Sequence, residues 1–403
     1  KTKASLHIGS LNVNGRGPLS GPRDHKWNAI NQLLREERLG VLCLQETHLD
    51  QTHLDTIHEL YGRRIRIWNS GSTSSTTVQG VAVILNRELV DVSGVAFQEL
   101  IPGRAILLTM HWHADKYITI LNVYAPNSPT ENAAFWTRLR SMAEKGRFKK
   151  PDVITGDFNL VEEAIDRLPA REDSAPAVAA LRDFTRHLDL YDGWRLSEPH
   201  MKDYTYPQRG SMSRSRLDRI YTSDPLIRTS HSWTIRTTGV PTDHRLVSTK
   251  LNTANTPFIG KGRWAMPVHL TEDDVFMNQA RTLGIETIKE MKDTERDDAY
   301  RGHSRIQHLH KLFKDGVKKL AQDRAKRKSP KLKAEINRLR AHIQEVEGCD
   351  TYQTSGDLQT DAAILHDRVH DLEKKRQTFS KLTTTARYVL NAERVSKYWS
   401  RIN

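Results

Sequence analysis

Residues 152–159 read Asp152-Val153-Ile154-Thr155-Gly156-Asp157-Phe158-Asn159. A short β-branched run stops at a glycine, and an acid, an aromatic and an amide follow at once. The run has the composition of a strand, while Gly-Asp with a nearby Asn is turn chemistry. A turn at a strand end is also where a catalytic pair would be held. The same grammar recurs on both sides. Leu6–Leu11 ends in Asn12-Val13-Asn14-Gly15, Val41–Leu44 in Gln45-Glu46-Thr47, and Tyr117–Val123 in Tyr124-Ala125-Pro126-Asn127. Further along the order is reversed. Asp218 opens Leu217–Tyr221, and Asp243-His244 stands just before Leu246–Leu251. If the late strands run opposite to the early ones, all of these clusters collect along one edge of the sheets.

Val81–Leu85 and Ala105–His111 are two further strand candidates. Between the strands lie amphipathic segments. In Asp24–Arg38, Trp27, Ile30, Leu33 and Leu34 share one face. In Ser174–Leu190, Val178, Leu181, Phe184 and Leu188 do the same behind a candidate N-cap, Ser174, and a third helix is predicted over Glu131–Lys145. Strands and helices interleaved in this way define an α/β layer fold. After Leu251 the pattern changes. Residues 252–267 read as a linker with Pro257, Gly260, Gly262 and Pro267. Beyond it, Ile306, Leu309, Phe313, Val317 and Leu320, then Ile336, Leu339, Ile343 and Val346, then Leu365, Val369, Leu372, Phe379 and Leu382 follow helical steps. Gly348–Gly356 interrupts them with turn residues. Two long helices folded back on each other would bury these narrow stripes. The expected domains are therefore 1–251, a linker 252–267, and an all-α extension 268–403.

The chain has 403 residues, enough for about two domains, and no apolar run approaches the roughly 18 residues that cross a bilayer. It begins Lys1-Thr2-Lys3 without Met or an apolar leader and stops abruptly at Asn403, so a piece of a longer polypeptide is expected. Two cysteines, Cys43 and Cys349, exclude a disulfide framework. The net charge of +13 favours a polyanionic partner, nucleic acid being the commonest, although basic residues also solvate exposed helices.

Carboxylates crowded into one cleft repel each other and call for a cation. Hard oxygen ligands without cysteine point to Mg2+ or Mn2+. The series Leu11–Gly15, Leu44–His48, Asn122–Asn127, Gly156–Asn159, Ser215–Tyr221 and Thr242–Leu246 resembles, in this order, the endonuclease/exonuclease/phosphatase superfamily that includes AP endonucleases and DNase I. It covers about residues 6–251. The wording is closest to the endonuclease domain of non-LTR (LINE-type) retrotransposons, fungal ones in particular. Asn14 stands where AP endonucleases usually have aspartate. Gly262-Arg263-Trp264 and the closing Ser396-Lys397-Tyr398-Trp399 resemble the approach to reverse transcriptase in such elements.

The resemblance implies a four-layer α/β sandwich, two packed mixed sheets flanked by helices, followed by a helical hairpin. It makes Glu46 the metal ligand with Asn12 beside it, and pairs Asp218 with His244, flanked by Asp243. Asp157 is the preferred base for the attacking water and Asn159 a donor to phosphate, although the division of labour between Asp157 and His244 stays open. Tyr124, Asn127 and Asn14 are expected to bind phosphate or substrate. Thr205 falls at a substrate-contacting position. The loop after it carries Arg209, Arg214 and Arg216, which either meet DNA or are simply solvated. The basic run Arg324, Lys326, Arg327, Lys328, Lys331 and Lys333 either grips nucleic acid or solvates a helix.

The function these expectations describe is a Mg2+-dependent nuclear endonuclease that nicks double-stranded target DNA. It would leave a 3′-hydroxyl primer for a reverse transcriptase in the same polypeptide, with element RNA a further partner of the helical region and no membrane involved. An AP endonuclease or other phosphoesterase of the same fold is the alternative, as is an inactive nucleic-acid-binding module.

Overall fold

Val41-Leu42-Cys43-Leu44 is apolar at every position because both faces of its strand are covered. Val41 and Cys43 face one apolar cluster, Leu42 and Leu44 another. This doubly buried pattern organises the first part of the chain in the computed structural model. The described residues are 2–3, 5–17, 26–71, 79–113, 115–207, 213–256, 258–259, 266, 270–271, 273–296, 303–349, 351–352, 355–369, 371–373 and 375. Arg209, Gly262-Arg263-Trp264 and Ser396-Lys397-Tyr398-Trp399 lie outside them, as do the side chains of Lys326, Arg327, Lys328, Lys331 and Lys333.

The strands that matter for the site, in chain order, are β1 Leu6–Asn12, β2 Val41–Gln45, β3 Ile65–Ser70, β4 Val81–Asn86, β5 Ala96–Ile101 and β6 Ala105–His113. They continue with β7 Lys116–Tyr124, β8 Val153–Asp157, β9 Leu190–Asp192, β10 Asp218–Ser223, β11 His231–Arg236 and β12 Leu246–Leu251. The helices are α1 Lys26–Glu36, α2 Gln51–Tyr61, α3 Pro129–Glu144 and α4 Ala175–His187. Two six-stranded mixed sheets result, ordered β11-β12-β1-β2-β4-β3 and β9-β10-β8-β7-β6-β5. Each has one parallel pair near its middle, β1 with β2 and β7 with β8. The late strands β12 and β10 run antiparallel to β1 and β8. The C-terminal ends of the early strands and the N-terminal ends of the late ones therefore share an edge.

Three apolar clusters stack into four layers. Trp27, Ile30 and Leu34 of α1 with Ile57 of α2 cover the outer face of the first sheet. Ile8, Cys43 and Val83 meet Ile106, Ile120 and Val153 between the sheets. Phe135, Trp136 and Leu139 of α3 with Leu181 and Phe184 of α4 cover the second sheet. Ser174 occupies the N-cap of α4, as its sequence suggests, but its side chain makes no capping bond. Strands β3, β5, β9 and β11, which the sequence pattern does not announce, are the four sheet edges. Edge strands bury less apolar surface, so their residues carry a weaker signal.

One polar group crosses the inter-sheet core. Asn122 of β7 donates to the carbonyls of Leu44 in β2 and Ala82 in β4, both at 2.9 Å, and accepts from Gln45 Nε2 at 2.7 Å. Both side chains are fully buried. Apolar packing alone tolerates sliding, whereas a buried amide with three fixed partners does not.

Helix α5, Asp274–Arg296, and helix α6, His303–Glu347, supply the C-terminal helical region. Asp273 caps α5 through the amide of Phe276 at 3.0 Å and pairs with Arg324 of α6. Ile336 and Ile343 of α6 pack with Val369 and Leu372 of the returning helical stretch. The described residues divide into one compact unit of 2–259 and 346–363 and a second of 266–345 and 364–375. No helix among the described residues is long and apolar enough to cross a membrane.

Two stability predictions follow from buried polar groups. Asn122→Leu strands the Leu44 and Ala82 carbonyls and the Gln45 amide, for a loss of about 2–4 kcal/mol in urea unfolding. Buried His7, bonded to Glu37 O at 2.7 Å, has its pKa pushed down to about 4, chiefly by burial, from an ordinary 6.5. A depressed folded-state pKa means the unfolded chain binds the proton first. Stability is therefore held above pH 6.5 and falls by roughly 3 kcal/mol between pH 6.5 and 4. His7→Gln should flatten that part of the stability–pH curve.

Candidate active site

Gly156 shows how the local sequence builds the edge. Its φ is +150°, and a Cβ there would lie 1.9 Å from the Val123 carbonyl oxygen. Only glycine lets β8 approach β7 this closely just before Asp157. At the neighbouring strand ends Asn14, Glu46 and Asn159 have φ of +48°, +52° and +49°. A left-handed conformation costs a non-glycine residue roughly 1–2 kcal/mol, and such strain gathers where a site over-determines the backbone.

Asn12 links the two sheets at this edge. Its Nδ2 donates to Glu46 Oε1 and to Asp157 Oδ2, both at 2.9 Å, and its Oδ1 accepts from the Asn14 amide at 2.9 Å. Asn14 Nδ2 donates to Asp243 Oδ1 at 3.1 Å. Asp157 also accepts from the Asn159 amide at 3.0 Å, while Asn159 Nδ2 donates to the Ala125 carbonyl at 2.9 Å. His244 Nδ1 meets Asp218 Oδ2 at 2.8 Å, and potential ligand atoms of Asp157, Asp218 and His244 all lie within 4.8 Å of one another. The structure thus brings Asn12, Asn14, Glu46, Asp157, Asn159, Asp218, Asp243 and His244 together. Tyr124 sits beside Glu46 and Asp157, with Arg104 stacked on its ring at 5.0 Å. Asn127 is exposed at the end of the same segment.

The electrostatics separate the two titrating groups. Burial, then the charge of Asp218, pushes the Asp157 carboxyl up to about 7. Burial alone would depress His244, but the Asp218 carboxylate, aided by Asp157 and Asp243, lifts it to about 9. Tyr124 is driven well above the ordinary phenol range by burial and by Glu46 and Asp157. At neutral pH the site therefore holds an imidazolium, a partly ionised carboxylate and a protonated phenol.

Several residues take places the sequence does not announce. Lys26, at the start of α1, gives its ammonium to the carbonyls of Val13, Asn14 and Gly15, fixing the Asn12–Gly15 turn. Tyr206 packs against the His244 ring, centroids 4.8 Å apart and planes tilted by 35°. Neither stands in a strand-end cluster, which was the signal available.

Two expected substrate contacts prove to be internal. Thr205 is fully buried. Its hydroxyl accepts from the amides of Leu217 at 2.9 Å and Asp218 at 3.0 Å, and its carbonyl accepts from the amide of Arg245 at 2.8 Å. It ties Asp218 to the residue beside His244 instead of facing solvent. Arg216, expected on a loop facing DNA, is only 2% exposed. Its guanidinium grips Asp166 at 2.8 and 2.6 Å and Asp192 at 2.7 Å, and lies 5.1 Å from the Trp194 ring. Arg195 joins the same Asp166 carboxylate. Burial would raise Asp166, but these guanidinium groups hold it at about 2. Desolvating an arginine demands such partners, and these leave it none to offer a phosphate. Arg214 lies in the strand Arg214–Ser215, its charge close to Tyr204 and Tyr352.

Two mixed sheets meeting at a carboxylate-rich edge with an Asp–His pair define a nuclease or phosphoesterase of the DNase I-like fold. The chain belongs to the endonuclease/exonuclease/phosphatase family, whose model matches residues 9–244. Over 98% of its length it is 27% identical to the Transposon TX1 uncharacterized 149 kDa protein of Xenopus laevis, of which it spans 29%. It is similar in fold to the AP endonuclease LMAP of Leishmania major, with a TM-score of 0.50, 17% identity, and coverage of 61% of this chain and 87% of that one. The endonuclease domain of TRAS1, a telomere-specific non-LTR retrotransposon, superposes with a TM-score of 0.43 and 15% identity over 62% of this chain and 99% of that one.

The burial of Arg216 has a measurable consequence. Arg216→Ala strips Asp166 of its bidentate partner and Asp192 of its nearest guanidinium, leaving Arg195 and the more distant Arg219, and should cost roughly 3 kcal/mol of stability. A loss of DNA affinity with unchanged thermal stability would instead restore the substrate-facing role.

Proposed function

We propose that this domain is a Mg2+-dependent endonuclease that hydrolyses one strand of duplex DNA, Mn2+ being able to substitute. One observation carries the reading. The bonded series Glu46–Asn12–Asp157 reaches within 4.8 Å of the Asp218–His244 pair at a single sheet edge.

The donor set fits a hard divalent cation. Glu46, Asp157, Asp218 and Asp243 place four carboxyl groups around this edge, and Asp218 Oδ1 is buried without a hydrogen-bond partner. Among the described residues none of Glu46, Asp157 and Asp243 is in a salt bridge, and Asp218 has only His244. Glu46 with Asn12 beside it would hold the ion, with the Asp157 and Asp218 carboxylates as further oxygen donors. When bound, it would supply positive charge to polarise a phosphoryl oxygen and offset the crowded carboxylates.

The chain's own groups divide the remaining work. Asp157, with its carboxyl pushed up to about 7, suits the acceptance of a proton from the attacking water. His244 keeps Nδ1 on Asp218, leaving a cationic Nε2 to donate to a phosphate oxygen as charge develops. Tyr124, held protonated, donates to the same group, and Asn159 and Asn127 help to orient it. This protonation pattern favours Asp157 over His244 as the base.

The transposon relative matches across the helical region as well as the nuclease domain. That supports a retrotransposon origin in which the nick's 3′-hydroxyl primes reverse transcription by a polymerase elsewhere in the same polypeptide, in the nucleus. The basic helical unit would then be a place for element RNA. An AP endonuclease remains the second reading, favoured by the fold likeness to LMAP.

A supercoiled-plasmid assay tests the proposal. Nicking should require Mg2+ and vanish with EDTA. Asp157→Asn and His244→Ala should each slow it by about 10²–10⁴-fold while DNA binding in a gel shift changes little. Native-rate cutting by either variant would overturn the assignments. Much faster cutting of an abasic duplex than of an intact one would select the repair reading.

A further inference from the structure

Residues 346–363 belong to the same compact unit as the nuclease domain, although some 85 residues of chain separate them from Lys261. They form a turn and the start of a helical stretch. The Tyr352 amide donates to Cys349 O at 2.9 Å, and Gln359 Nε2 donates to Tyr352 O at 3.1 Å. Tyr352 is the anchor. It is 4% exposed and packs with Ala362, Leu358 and Val346 against Leu168 and Tyr204. Lys202 Nζ donates to Glu347 O at 2.9 Å, tying the segment to the stretch just before Tyr204.

Tyr204 adjoins Thr205, which holds the amides of Leu217 and Asp218 through its hydroxyl and that of Arg245 through its carbonyl. Two residues on, the Tyr206 ring packs against His244. The short strands Tyr206–Pro207 and Arg214–Ser215 around this point form a small sheet of two-residue pairings, with little stiffness of its own. Something must back it. The packed face behind Tyr204 is the distal segment.

We propose that residues 346–363 are a working part of the nuclease. They brace Tyr204 and thereby hold the Thr205 node that positions Asp218 against His244. In this arrangement Tyr352 is a positioning residue, and the domain's functional boundary does not fall at the end of β12. The brace itself rests on this packing and the Lys202–Glu347 tie, while its effect on cutting rests on the proposed nuclease function.

The test uses the full chain. In Tyr352→Ala, hydrogen exchange should quicken at least tenfold at the amides of Leu217, Asp218 and Arg245, and stay unchanged at Ile8, Leu42 and Ile154 in the main sheets. The nicking kcat should fall about tenfold with KM for DNA unaltered, and Tyr352→Phe should restore both readouts. Should Tyr352→Ala fail to fold, Lys202→Ala, which removes only the tie to Glu347, should show the same exchange pattern to a smaller degree. Unchanged exchange at those three amides in the folded variants overturns the brace, whatever the activity. A chain that cuts no DNA yet shows the exchange response refutes the nuclease reading and supports the brace.

Discussion

Everything at the site depends on the two sheets keeping one register, and Asn122 is the group that fixes it. Its amide bridges β7 to the carbonyls of Leu44 and Ala82 in the opposite sheet and takes Gln45 Nε2 in return. The surrounding contacts, among them Ile8, Cys43 and Ile120, are apolar and non-directional. They favour closeness without specifying a particular alignment. A shift by one strand residue would cost Asn122 all its partners and would separate Asn12 from Asp157. Asn12 then repeats the device at the strand ends, joining Glu46 of the first sheet to Asp157 of the second through one amide nitrogen.

Charge in this domain is balanced differently at two buried places. Asp166, Asp192, Arg195, Arg216 and Arg219 form a buried network in which every carboxylate has a guanidinium. At the site the balance is left open. Asp157 and Asp218 crowd together with only the His244 imidazole between them and neutrality. The first arrangement stabilises the ionised acid, with Asp166 held at about 2, and the second destabilises it, with Asp157 at about 7. Displaced pKa values of opposite sign within one domain separate structural carboxylates from those poised to exchange a proton.

Most of the architecture is legible in the sequence because eight strands are covered on one or both faces and read as short apolar runs. The four strands that escape that reading are edges, and Ala96–Ile101 shows why, with four of its six residues exposed. Helix α2 escapes similarly, since only Ile57 among its residues is fully covered. The site residues are visible because each borders one end of a strand with a polar group where a turn alone would need none. Lys26, Tyr206 and Asn122 are not visible in this way. Lys26 acts through backbone carbonyls, Tyr206 lies in a two-residue strand with no apolar run to mark it, and Asn122 sits inside an apolar strand. In each case the partner set is created by the fold. Thr205 and Arg216 are found by position but turn inward, because sequence records that a residue is polar and not which way it faces.

That inward turn changes how the chain's basic character is to be understood. A net charge of +13 invites the assumption that arginines near the cleft neutralise phosphates. Arg216 and Arg219 are buried, and Arg167 is bound to Asp173 and to Ser215 Oγ. Moving any of them to a phosphate would break a desolvated ion pair for a solvated contact, an exchange that loses several kcal/mol. Affinity for a polyanion would therefore come from exposed cations elsewhere, while these three hold Asp166, Asp173, Asp192 and Glu162.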